Sequence, residues 1–271
     1  MKKSRIPSIY MAVLLIIMYL PMVFVVIYSF NENKLSTSWT GFSLKWYHML
    51  LEDEMLQEGL KNSLILGGLS CFGAAVIGTL GAIGMQKMKH KSKNIVAYVA
   101  TLPIMIPEII LGMVFMTFFA LLGLKFGMLT LVVAHTAFCI PYIFLQVKAR
   151  LVGMDKSLEE AARDLGAGPV RVFFDITLPL IMPALCSGAI LAFAMSLDDV
   201  IISIFVTGAE TNTLPVMIYT QMKLGVTPEI NALCTIMLGI TLLLVMVSNI
   251  IGNRGKKKIR KEKEIQNGGI L

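Results

Sequence analysis

The stretch "SLEEAARDLGAGPVRVFFDITLP", Ser157 to Pro179, decides the fold. Ser157 followed three residues later by Glu160 has the spacing of a capping box, in which the two side chains satisfy the free N–H groups at a helix start. The spacing predicts a short helix over Glu159 to Leu165. Gly166 then supplies the left-handed backbone that ends a helix. Pro169 can open a second short helix through Phe174, because its missing N–H costs nothing in a first turn. Phe173 and Phe174 offer an apolar pair to a partner or to the ends of neighbouring helices. The stretch reads as two small helices at an angle, a rigid knob.

On both sides of the knob the chain is apolar. Of its 271 residues 56% are hydrophobic and 15% charged, and the mean hydropathy of +0.76 lies outside the range of soluble domains. A bilayer core needs about 20 apolar residues per helix. Such runs occur at Ile9 to Phe30, Ser63 to Met85, Ile95 to Leu122, Met128 to Val147, Leu180 to Val206 and Ile230 to Gly252. The expected protein is an all-α integral membrane protein with six transmembrane helices. Its first run is longer than a signal-peptide core and is expected to stay in the membrane.

Orientation follows from Lys and Arg, which collect on the cytoplasmic side. With the N-terminus inside, 19 of the 24 basic residues are cytoplasmic, including the short turn "QKMKHKSKN", the knob's loop and the tail "RGKKKIRKEKE". The topology is therefore N-in, C-in, and the knob is cytoplasmic. The net charge of +7 reflects this bias and a tail suited to lipid headgroups. No aromatic residues interleave the basic ones, so nucleic acid is not an expected partner. Cys71, Cys139, Cys186 and Cys234 fall inside spans without metal-type spacing. The sequence has no phosphate loop and no H-E-x-x-H, so no enzyme is expected.

Outside, Asn31 to Asn62 contains a turn near Trp39 to Gly41. An amphipathic stretch follows, with Leu44, Tyr47, Leu51 and Met55 at helical spacing. It is expected to lie along the membrane surface. Trp39, Trp46 and Tyr47 suit an interfacial belt; the other role open to Trp46 is contact with a substrate or partner. Thr207 to Glu229 offers a short helix from Pro215 to Leu224, and Thr227 with Pro228 starts the last span. In the third span, "LPIMIPEII", Pro103 and Pro107 each remove a backbone bond. Irregular backbone at depth needs protein or water around it, so this span is expected to line a pathway.

The knob resembles the EAA loop of binding-protein-dependent ABC importer permeases: E-A-A, three residues, G, nine residues, I-x-L-P. Glu160, Ala161, Ala162, Gly166, Ile176, Leu178 and Pro179 match every position. Gly168 and Pro169 depart from it, standing where that pattern often has a helix-capping Ser and a polar residue. The segments "SFN", "WTGFSLKWY", "LEEAARDLGA", "SLDDVIISIFVTG" and "INALCT" are similar to the spermidine/putrescine branch of that family, and they cover nearly the whole chain. The resemblance implies the type I (MetI-like) importer fold, with a permease domain over 1–252, a coupling loop over 148–179 and a basic cytoplasmic tail over 253–271. It implies that the knob transmits closure of a cytoplasmic ATPase dimer, which alone binds ATP and Mg; no cofactor is expected here. Its other implied partners are a second, different permease, an external polyamine-binding protein, membrane lipid and the polyamine itself.

Asp198 and Asp199 lie within the apolar run "LAFAMSLDDVIISIF", and each charged Asp near a helix centre costs roughly 2.5 to 3.5 kcal/mol. Every Lys and Arg falls in a loop or tail, so this chain offers no cation at that depth. On one continuous helix Ser196, Asp199 and Ser203 share a face, with Asp198 at its edge. By helical rise Glu108 lies about 20 Å, and Asp198 about 12 Å, from the outer ends of their helices. Trp46, Glu108, Ser196, Asp198 and Asp199 are the candidate substrate pathway, a ladder of acids for an extended polycation. Two other roles stay open: Glu108 at the N-terminus of a half-helix, and one Asp capping a broken turn. His135 reads as a hydrogen-bonded interior residue. An importer subunit for an amino acid derivative, thiamine or an iron complex remains the alternative, as does a sensor that keeps the knob without transporting.

Overall fold

The computed structural model describes residues 6–33, 38–155, 157–223, 225 and 227–268, with the side chains of 6–8, 90 and 252–268 outside the description. Helix α1 (Ile6–Tyr28) is followed by the short α2 (Lys45–Glu52) and the long α3 (Glu54–Gln86). Next come α4 (His90–Met105), α5 (Glu108–Leu121) and α6 (Met128–Val152). The knob holds α7 (Ser157–Asp164), α8 (Pro169–Val172) and a π turn at Phe173–Thr177. The turn runs into α9 (Leu178–Asp198), and α10 (Ile201–Val206), α11 (Leu214–Met222) and α12 (Pro228–Gly268) complete the order. Five helical stretches are long and apolar enough to cross a membrane, and α4 with α5, bent by 104°, makes a sixth. The side chains of the basic tail lie outside the described residues, and its backbone continues α12 to Gly268.

The chain forms two compact units, Met1–Gly59 with Leu214–Ile240, and Leu60–Thr213 with Thr241–Leu271. In the first, Trp46 and Leu50 of α2 are buried with Leu56, Leu214, Ile218, Ile230, Leu233 and Met237. Leu44, Leu51 and Met55 are exposed, and the residues one turn apart at 46 and 50 pack inward instead. The fully buried Asn31 organises the turn: its Nδ2 donates to Ser38 O and its Oδ1 accepts from Thr40 N–H. Thr227 Oγ1 accepts from Ile230 N–H, 3.4 Å away, at the start of α12.

In the second unit α9 packs along α6. In lipid there is little hydrophobic gain from pressing two helices together, so small residues that allow close backbone approach carry the contact. Gly188 is such a residue: a Cβ there would lie 3.2 Å from Ile143 Cα and 3.3 Å from Gln146 Cβ. Ser187 and Ser248 exchange hydroxyl-to-carbonyl bonds of 2.9 and 2.8 Å, joining α9 to α12.

The third span breaks as Pro107 predicts, while Pro103 is accommodated inside α4. Ile106 is extended, as the residue before a proline prefers. The fifth span also breaks, against the expectation of one helix from Leu180 to Val206. Asp199 is extended (φ −71°, ψ 124°), and α10 starts afresh after Val200.

The knob differs from expectation at both ends. Ser157 already lies inside α7, and its N–H is accepted by Asp155 Oδ1 at 3.0 Å, so Asp155 takes the cap's role. The second short helix stops at Val172, and the π turn carries the chain directly into α9. At Gly166 (φ +86°) the N–H groups of Gly166 and Ala167 close onto Arg163 O and Ala162 O. This Schellman arrangement is open to glycine without strain.

Candidate functional site

Both breaks expose backbone groups that a bilayer would leave unpaired. At the second, Asp199 supplies the missing partners: its Oδ1 accepts from Ile202 N–H at 3.3 Å and its Oδ2 from Ser203 N–H at 2.9 Å. Asp199, one residue before the N-cap Val200, thus caps the first turn of α10 with its side chain, and it is 6% exposed. Its Oδ2 also accepts from Ser203 Oγ at 2.9 Å. His135 of α6, fully buried, lies alongside. Its Nδ1 is 2.8 Å from Ser196 Oγ, and its Nε2 is 3.0 Å from Ser203 Oγ and 3.4 Å from Asp199 Oδ2.

Ser196, Asp199 and Ser203 therefore do gather in one place, around an imidazole and away from any open surface. Asp198, the last residue of α9, is exposed, and so is Glu108, the first residue of α5. Glu108 and Asp198 thus stand at the breaks of the third and fifth spans. The rise-per-residue depths assumed straight helices, whereas both spans break at these acids and their far halves α5 and α10 pack together. Among the described residues, Glu108 and Asp198 have no ion-pair partner.

Trp46 belongs to the first unit and is 4% exposed, with Nε1 donating to Asn31 O at 2.7 Å. The indole holds the outer turn together and packs among Leu50, Leu56 and Ile218. Trp39, in contrast, is 46% exposed. A cavity of about 400 Å³ among α3, α4 and α6, lined by Ile77, Val99, Pro103 and Phe144, is apolar and contains none of the acids.

On the knob, Glu160, Ala161, Gly166 and Pro179 are exposed, while Ala162, Ile176 and Leu178 are half-buried. Thr177 Oγ1 donates to Glu159 Oε1, and Arg150 Nε to Leu180 O at 2.7 Å, which fastens the knob to the feet of α6 and α9. Leu158, Leu165, Val170 and Phe174 project apolar surface from it. His135 was legible as an interior residue, but its contact with both sides of a break was not, because nothing in the sequence announces that break except the acids themselves.

A six-span membrane protein with two broken helices, a carboxylate at each break, and a fastened cytoplasmic knob, is a transport permease driven from its cytoplasmic side. The chain belongs to the binding-protein-dependent transport system inner membrane components, whose family pattern matches residues 74–261. It is 42% identical over 229 residues, 82% of each chain, to the putrescine transport system permease protein PotI of Escherichia coli (strain K12). To the spermidine/putrescine transport system permease protein PotC of the same strain it is 36% identical over 247 residues, 89% of this chain and 94% of that one. The crystal structure of a bacterial ABC transporter that imports the acidic polysaccharide alginate contains a chain that superposes with a TM-score of 0.69. That match has 16% identity and covers 92% of this chain and 97% of the other, a likeness of fold alone. The protein is a multi-pass inner-membrane permease of the type I importer fold. It is not an enzyme, and it works with a second permease, an ATPase and an external binding protein.

Proposed function

We propose that the cargo is a polyamine, spermidine or putrescine. The observation that carries this reading is the pair Glu108 and Asp198: exposed, each at the break of a span, and without an ion-pair partner among the described residues. Carboxylates left uncompensated in a membrane interior are costly, and a cargo that brings its own ammonium groups on a thin aliphatic chain offsets that cost as it passes. The names of the two relatives support the same cargo.

The finer assembly follows from the same reading: a PotB-like second permease, a PotD-like external binding protein and a PotA-like ATPase dimer that binds ATP and Mg. This chain holds no cofactor of its own. The loaded binding protein docks outside, ATP closes the dimer, and the dimer moves the knob through the surface around Glu160 to Gly166. Cargo then passes Glu108 and Asp198, while Ser196 and Asp199 hold the break beside them.

The test is radiolabelled spermidine uptake by the reconstituted system, comparing wild type with Asp198→Asn once assembly and ATP hydrolysis of the variant complex have been verified. Uptake lowered severalfold, though still measurable, in an assembled complex supports the acidic route. Unchanged uptake overturns it.

A further inference from the structure

The protons around His135 have a single arrangement when its ring is neutral. Ser203 has one hydroxyl hydrogen, and Asp199 Oδ2 takes it. Toward the imidazole, Ser203 Oγ can therefore only accept, so the ring hydrogen sits on Nε2. Nδ1 is then the acceptor for the Ser196 hydroxyl. The imidazole spans the break, bonded to Ser196 on its near side and Ser203 on its far side, with Asp199 Oδ2 also 3.4 Å from Nε2.

Helix α10 depends on this bridge. At six residues it is shorter than two turns and too short to persist on its own hydrogen bonds. Helix α6 holds it at both ends. His135 contacts Ser203 near its start, and Thr130 Oγ1 donates to Val206 O at 2.8 Å at its finish. On the remaining side the Phe205 ring presses against Gly112 of α5, where a Cβ would come within 2.6 Å of the ring. The direction of the chain through Asp199 is thus fixed from α6, and Asp198 is the residue directly before it.

We propose that His135 is a positioning residue for cargo passage: from α6 it fixes the α9–α10 break, and the break sets where the Asp198 carboxylate stands. This rests on Asp198 serving the cargo's route, and the experiment separates the two claims.

Spermidine uptake per assembled complex is measured for His135→Leu, His135→Gln, Asp198→Asn and the double variant His135→Leu with Asp198→Asn. If His135 acts through Asp198, His135→Leu lowers uptake by about tenfold in the wild-type background and by no more than about twofold when Asp198 is already Asn, the non-additivity of coupled residues. His135→Gln keeps one donor and one acceptor and recovers most of the loss. Equal losses from His135→Leu in both backgrounds, or equal uptake by the Leu and Gln variants, overturn the positioning role. Should the Leu variant fail to assemble, Ser196→Ala replaces it in the same cycle. That variant removes only the Nδ1 partner, and a loss of about threefold that vanishes in the Asp198→Asn background is expected; an additive loss overturns the role. Unchanged uptake by Asp198→Asn alone marks failure of the acidic route itself.

Discussion

Thr177 donates its hydroxyl hydrogen to Glu159 Oε1 across 2.9 Å, and this bond ties the first helix of the knob to the π turn that becomes α9. Thr177 is buried, and its other acceptor, Val172 O, is 3.5 Å away. Removing the carboxylate leaves a buried hydroxyl poorly paired, at a cost of about 1–2 kcal/mol. Glu159 lies just outside the family motif, yet it is the residue of α7 that bonds the turn leading into α9. Glu159→Ala is expected to lower the ratio of cargo transported to ATP hydrolysed several-fold, with Thr177→Val doing the same and the double variant adding little. Transport and phosphate release measured together in proteoliposomes read this ratio; an unchanged ratio would show that the knob moves α9 by another contact.

The two adjacent aspartates are expected to separate by phenotype. Asp199 caps α10 and meets His135, while Asp198 is exposed. Asp199→Ala therefore destabilises the permease by about 1–2 kcal/mol through the lost cap, and more where the buried imidazole loses a partner. Asp198→Ala leaves thermal stability within about 0.5 kcal/mol of wild type, as an exposed site does. Thermal unfolding of the purified complex with each variant checks the order, and equal destabilisation by both would contradict the geometry.

How much of this was legible in the sequence differs from element to element for physical reasons. The spans, their orientation and the break at Pro107 follow from apolar length, charge count and a missing N–H, all local properties. Gly166 was equally readable, since the left-handed stop belongs to one residue. The break at Asp199 has no proline or glycine to announce it. Its signal is an acid with two N–H groups to cap, which reads equally well as a pathway residue until the backbone is seen. In α2 the exposed Leu44, Leu51 and Met55 and the buried pair Trp46 and Leu50 both have helical spacing, so spacing alone does not show which of them packs inward. Burial of the indole is decided by its bond to Asn31 O, fifteen residues away, which periodicity does not carry. Glu159 was passed over because the knob's tie to the π turn is a tertiary contact between residues eighteen apart.

Gly188 sets how closely α9 approaches α6. A Cβ would already crowd Ile143 Cα, so Gly188→Leu forces the helices apart at a cost of about 1–3 kcal/mol. Backbone cannot rotate out of the way as a flexible side chain can. The expected outcome is a lower yield of assembled complex and a lower unfolding temperature, whereas Gly68→Leu, where a Cβ would meet nothing within 4 Å, leaves both near wild type. Similar behaviour of the two would show that the α6–α9 contact is looser than its geometry.

Trp46 gives the last test, because a residue that binds the cargo and a residue that holds the fold fail differently. Trp46→Phe keeps most of the ring but removes Nε1–H, leaving the Asn31 carbonyl without its indole partner at a cost of about 1–3 kcal/mol. Trp46→Ala also opens a cavity among Leu50, Leu56 and Ile218, for about 3–5 kcal/mol in total. Uptake should then fall with the amount of correctly folded permease, which protease protection of the outer segment measures, and uptake per folded complex should stay near wild type for Trp46→Phe. A tenfold loss per folded complex in that variant would mean that the indole leaves its packed position during the cycle and touches cargo or binding protein, returning Trp46 to the substrate's path.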